Sequence, residues 1–193
     1  MFKRRVKRSF LRKLQEFFWP RSGWRRSMWY MLHRLARLPG TAYSIACGFA
    51  CGAAISFTPF VGLHFIIGGI WAWTMRANII ASAIGTAVGN PWSFPFIWIW
   101  IYKLGLWMGV GAGGREADEL DFGSRFGEML GATLNLDFAY LYDTAWPVWW
   151  PMFVGSLPTA VVAWFVFYWP LKIAVGTYQR RRLQQRMKNL EKA

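Results

Sequence analysis

Two polar interruptions sit inside otherwise apolar sequence. Thr58-Pro59-Phe60-Val61-Gly62 is followed by His64, and Gly89-Asn90-Pro91 breaks the next apolar run. Proline supplies no N–H, so each break leaves a backbone carbonyl without its helical partner, and an Asn amide or a ring nitrogen can meet it. Paired breaks in short apolar segments point to a solute site near a bilayer midplane, as in transporters built from discontinuous helices. Pro59, Gly62, His64, Asn90 and Pro91, with Arg76 and Asn78 between them, therefore form the candidate site for a small or lipidic solute. The competing explanation is structural: the same residues are interfacial turns, with His64 and Lys103 snorkelling to the surface.

Other chemistry has little to work with. There is no Gly-rich phosphate loop ending in Lys-Ser or Lys-Thr and no zinc-protease helix motif. The histidines are His33 and His64, and no acid lies within the apolar runs, so a general acid and base cannot be paired there. No catalytic residues, metal or cofactor are expected. Cys47 and Cys51 stand one helical turn apart with parallel side chains, which disfavours a disulfide and suits small packing residues.

The elements that must position these residues read as membrane segments. Hydrophobic types make up 55% of the chain, aromatics 19%, with 14 Trp, well above soluble usage. Between Arg37 and Arg115 only Arg76 and Lys103 are charged, and Thr144 to Leu171 carries no charge. A helix in water needs charges on its exposed face, so lipid is the implied solvent. The net charge of +14 gathers at the two ends, whereas Glu116, Asp118, Glu119, Asp121, Glu128, Asp137 and Asp143 fall between them. Basic clusters beside apolar spans follow the positive-inside bias and attract anionic headgroups, which is a better fit than nucleic acid.

The expected architecture is an all-α integral membrane protein with about four short, Pro/Gly-broken transmembrane or re-entrant helices. Residues 1–38 form a basic interfacial segment. In its amphipathic helix over 5–18, Val6, Phe10, Leu14, Phe17 and Phe18 oppose basic residues, and a second helix follows over 23–38. Arg4, Arg5, Arg8, Arg12, Lys13, Arg25 and Arg26 are its lipid-surface contacts. The membrane region is 39–175, with segments at 41–58, 60–75, 79–110 broken at 89–95, and 146–175, and with an acidic outer loop at 111–145. The first two segments are each shorter than the ~30 Å hydrocarbon core, so 41–75 is either a tight pair of spans or a re-entrant hairpin. Residues 79–89 read as a further short hairpin arm and 92–110 as a span. Pro147, Pro151, Pro158 and Pro170 predict a kinked last span, and 176–193 is a basic cytoplasmic tail. Gly48 with Gly52, Ala46 with Ala50 and Ala54, Gly85 with Gly89, and Gly105 with Gly109 are small-residue pairs that allow close helix packing.

Several of these stretches together resemble a bacterial membrane family known as DUF2062. They are Pro-Arg-Ser-Gly-Trp-Arg-Arg (20–26), Arg-Leu-Pro-Gly (37–40), Ser-Phe-Thr-Pro-Phe-Val-Gly-Leu-His-Phe (56–65), Arg-Ala-Asn (76–78) and Gly-Thr-Ala-Val-Gly-Asn-Pro-Trp-Ser-Phe-Pro-Phe (85–96). The resemblance spans about residues 20–175 and implies a bacterial inner-membrane protein, without an assigned activity or catalytic residues. Two functions are then in contest. One is handling of a small or lipidic solute at the paired breaks. The other is a membrane adaptor whose basic ends bind anionic lipid or a cytoplasmic partner. Expected partners are the bilayer, its anionic headgroups, and a second copy or an envelope protein, with both termini cytoplasmic.

Overall fold

Apolar sequence of this density needs local signals to start and stop helices, and hydroxyl and amide side chains provide them. Thr41 accepts the Ser44 N–H at 3.2 Å and opens α1 (Ala42–Ile55). After the Thr58-Pro59 break comes α2 (His64–Thr74). Asn78 then caps α3 (Ile79–Gly85) by accepting the Ala81 N–H at 2.9 Å, and a 3₁₀ turn, Thr86–Val88, follows. Next come α4 (Phe94–Trp107), with Pro95 in its first turn where a missing N–H costs nothing, and α5 (Phe138–Leu190).

This computed structural model describes residues 26, 32, 34–60, 62–90, 92–110 and 146–191, together with the backbone of 138–145. The chain divides into two compact units, Met1–Pro39 and Gly40–Ala193. In the first, Arg26, Leu32 and 34–36 are helical, Leu35 is buried, and Arg26, Arg34 and Arg37 are exposed. The basic contacts Arg4, Arg5, Arg8, Arg12, Lys13 and Arg25 lie outside the described residues, as do Pro91 and residues 111–137 of the expected acidic outer loop. Among the described residues there is no strand, so the chain is all-helical as expected.

Within the second unit, α1 and α2 form an antiparallel hairpin. The Tyr43 hydroxyl donates to the Met75 carbonyl at 3.4 Å at one end, and His64 meets the Thr58 carbonyl at the other. α3 then returns parallel to α1, with Gly48 against Asn78, Gly52 against Ser82, and Ser56 against Thr86. α5 runs antiparallel along α1. The Gln179 side chain donates to the Gly40 carbonyl at 3.1 Å, Tyr43 meets Tyr168 edge-on, and Phe60 at the hairpin tip meets Trp149 and Phe153. The unit thus has a near end, where Gly40 and Gln179 close, and a far end beyond the tip.

α4 also packs antiparallel on α5. Trp100 donates to Thr159 at 3.3 Å, Ile101 lies at Gly155, and Gly105 lies at Pro151. Since α3 and α4 both point toward the far end, the chain does not turn back at 89–93. Residues 79–107 form one broken leg rather than a hairpin arm followed by a span. Four legs alternate in direction, and the first residues of the unit return beside Gln179.

Small residues make this packing possible. A Cβ on Gly52 would strike the Ser82 carbonyl and come within 3.0 Å of the Thr86 nitrogen. A Cβ on Gly85 would strike the Phe49 carbonyl and come within 3.0 Å of the Ala53 nitrogen. Gly52 therefore stands to α3 as Gly85 stands to α1, a twofold-like reciprocity in which backbone meets backbone. Ala46, Cys47, Ala50, Cys51, Ala53, Ala54 and Ala81 fill the space around it, all fully buried. Both cysteines are free, in keeping with packing roles. Gly105 and Gly155 repeat the arrangement between α4 and α5, each lying against the partner helix's backbone. Gly109, expected to pack, instead has φ +82° and open space around it, and serves as the turn after α4.

α5 is longer than the expected last span at both ends and passes through Pro147, Pro151, Pro158 and Pro170 as one helix. Hydroxyls on this helix donate to its own carbonyls, Ser156 to Phe153 at 2.6 Å and Thr159 to Gly155 at 2.9 Å. Among the described residues one helix, Trp146–Leu190, is long and apolar enough to cross a membrane; Ala42–Ile55, Ile79–Val88 and Phe94–Trp107 are shorter apolar helices.

Candidate functional site

The two breaks meet. Gly89 faces Ser56, where an added Cβ would come to 2.8 Å of the Ser56 Cβ, and His64 stacks on Phe94 with ring centroids 5.7 Å apart. Pro59, Gly62, His64 and Asn90 thus gather at the far end of the hairpin. Arg76 and Asn78 do not join them: they form the α2–α3 turn at the near end, beside Ser44, whose carbonyl accepts the Asn78 N–H at 3.0 Å. Pro91 lies outside the described residues.

Each polar group at the meeting point is engaged by backbone. His64 is buried, and its Nε2–H donates to the Thr58 carbonyl at 3.3 Å, which ties α2 to the break in front of it. The Ser56 hydroxyl lies 3.0 Å from the Gly52 carbonyl and 3.2 Å from that of Thr86, sharing one proton between two helices. Asn90 Oδ1 accepts the N–H groups of Trp92 and Ser93, both at 3.0 Å. Ser93 answers: its Oγ accepts the Asn90 N–H at 2.9 Å and donates to the Val88 carbonyl at 2.7 Å. Together they form a reciprocal cap that carries the chain across the break without a reversal. Gly62, with φ +85° and nothing near its absent Cβ, takes a backbone conformation that other residues adopt only under strain.

What faces outward at this level is apolar. Leu63, Phe65, Trp92 and Phe96 are exposed, and Phe60 is half-buried against Trp149 and Phe153. Trp146, Trp149, Trp150 and Phe153 continue the aromatic stack along α5, with centroid separations of 5.2–5.8 Å. Sequence reasoning missed this platform, because aromatic residues are scattered throughout the chain. It also missed Ser93, although Asn at the break with Ser three residues later is a capping signal. Gly155 was missed as well, having no glycine one turn away to flag it.

The near end is polar and cationic. Arg76 has φ +51°, the one non-glycine with positive φ among the described residues, and its side chain is exposed. Glycine would relieve that backbone strain. Lys172 lies over the rings of Tyr168 and Trp169 at 5.2 and 5.3 Å.

The fold and the site define a class: an all-helical bundle with a hairpin, a broken leg and one long helix, closed by backbone-to-backbone packing. The family model described as an uncharacterized protein conserved in bacteria (DUF2062) matches residues 25–184, and the chain belongs to that family. No curated protein and no solved structure matches it.

Proposed function

We propose that this chain is an integral protein of a bacterial inner membrane that holds a lipidic molecule where the hairpin tip meets the broken leg. One observation carries the membrane reading: small residues line the closest helix crossings and large apolar residues stand outside. Ala, Gly, Ser and Cys fill the contact of α1 with α3, while Leu157, Val161, Val162, Phe165, Val166, Trp169 and Ile173 stand exposed along α5. In water such an unbroken apolar face is costly; in lipid it is the normal surface, and small residues are what bring helices together. Trp150 and Trp169 are separated by about 29 Å along the helix axis, close to the ~30 Å hydrocarbon thickness that interfacial aromatics bracket. Arg76, Lys172 and Arg180 at the near end support a cytoplasmic location for that end.

A lipidic occupant is favoured over a polar solute by the hydrogen bonding at the breaks. His64, Ser56, Asn90 and Ser93 direct theirs to backbone, and the surface left for a visitor is Phe60, Leu63, Phe96 and the tryptophan stack. The test uses the full chain in native-lipid vesicles doped with a phospholipid carrying a photoreactive acyl chain. Adducts should concentrate at Phe60, Leu63 and Trp149; an even spread along the exposed face of α5 sinks the site. For the membrane reading itself, Val162→Arg should depress insertion, a charge at a span's centre costing about 2.5–3.5 kcal/mol on insertion scales. Full abundance of that variant in an alkali-extractable form would overturn it.

The second reading, a membrane adaptor, is favoured by α5 continuing past Gln179 with Arg180, Arg181, Arg182, Arg186 and Lys188 exposed. Arg4, Arg5, Arg8, Arg12, Lys13, Arg25 and Arg26 would hold anionic headgroups, and the cations of α5 would face a cytoplasmic partner. Deleting residues 1–38 should then abolish function in a chain that still inserts, and full function without them would end this reading.

A further inference from the structure

We propose that the last turns of α5 dock an amphipathic helix with acidic flanks, supplied by a cytoplasmic protein. Leu183, Met187 and Leu190 are 61%, 61% and 75% exposed, and their spacing puts them on one helical face. That face continues the one α5 lays against α1, where Gly176 lies at Ala42 and Gln179 bonds the Gly40 carbonyl. α1 opens at Thr41, so beyond Gln179 it has nothing left to cover the stripe. The four-then-three spacing is that of a coiled-coil seam, in which a facing helix inserts its own apolar side chains.

Charge selects the occupant. Arg180 and Arg186 border the stripe, Arg181, Arg182 and Lys188 lie further round, and Glu191 is the one acid in these turns. A second copy in parallel would set arginine against arginine, and the chain's own segment 1–37 is equally basic. The bilayer is also out of reach. At 1.5 Å per residue Leu183, the first residue of the stripe, lies roughly 21 Å past Trp169 at the hydrocarbon edge, beyond a headgroup layer of about 5–8 Å per leaflet. A helix with leucine on one face and glutamate at its edges satisfies both the stripe and the cations.

This inference rests on the membrane reading to set aside the bilayer as occupant and to place the stripe on the cytoplasmic side, and its test reads the stripe directly. The full chain in phosphatidylcholine nanodiscs is titrated with a synthetic three-heptad leucine helix carrying Glu at the flanking positions, and with a twin carrying Lys. The Glu peptide should bind with an affinity that falls as salt rises, and Leu183→Asp with Met187→Asp should weaken it at least tenfold. Arg180→Glu with Arg186→Glu should reverse the preference, so that the Lys peptide binds better. Equal binding of the two peptides, or indifference to both double variants, overturns the proposal. Concentration-dependent self-association lost in the aspartate variant would assign the stripe to a second copy instead. Burial of a probe at Met187→Cys in anionic vesicles would assign it to the bilayer. Loss of membrane insertion with the peptide preference intact would sink the membrane reading alone.

Discussion

The crossing of α1 on α3 and the last turns of α5 use the same element in opposite ways. At the crossing, Gly48, Gly52 and Gly85 carry no side chain, and the contact is backbone on backbone. In the last turns, Leu183, Met187 and Leu190 extend from the helix and are largely exposed. At this crossing the molecule packs through residues that are small, and at its outer faces it presents residues that are large. Mutational sensitivity should follow that inversion: a methyl group added inside costs more than a ring removed outside.

Gly52→Leu is the strongest challenge to the comparison. Its Cβ would strike the Ser82 carbonyl, which cannot yield unless α3 moves, so a loss of about 3 kcal/mol or more is expected. Phe165→Ala, on the exposed face of α5, should stay within about 0.5 kcal/mol in detergent. Thermal unfolding followed by circular dichroism in detergent measures both, and equal losses would mean that the inversion is not real. A smaller effect is expected at the meeting of the breaks. His64→Ala leaves the Thr58 carbonyl without its donor in a buried place and should cost about 1–3 kcal/mol, partly restored by His64→Gln. Full stability of the alanine variant would show that the tip is held by the Phe60 stack alone. Smallest is Asn90→Ala, which removes the cap that spans the second break, for about 1 kcal/mol, with Asn90→Asp near neutral. The reverse order, with aspartate the worse, would mean that the amide and not the carbonyl oxygen is the working group.

Much of the candidate site was legible because helix breaks announce themselves. Thr58-Pro59 and Gly89-Asn90 stood out as interruptions, and they do meet. Arg76 and Asn78 looked equivalent to them as polar residues between apolar runs, yet they sit at the other end of the hairpin. Hydropathy ranks a residue's solvent preference and is blind to which end of a hairpin it occupies. The small pairs foretold close packing at Gly48, Gly52, Gly85 and Gly105. Gly155 escaped notice because its partner, Ile101, is far away in the chain.

Local residue chemistry alone determined where helices start and stop, which stretches shun water, and which ends are basic, since capping, proline geometry and charge act within a few residues. Tertiary structure decided the direction of the chain after each interruption. Whether α4 returns along α3 or runs on toward the far end depends on what it can lie against, and that surface is α5, with Pro151 and Gly155 open to close approach. Contact energies between segments distant in sequence set that choice, and no window of neighbouring residues contains them.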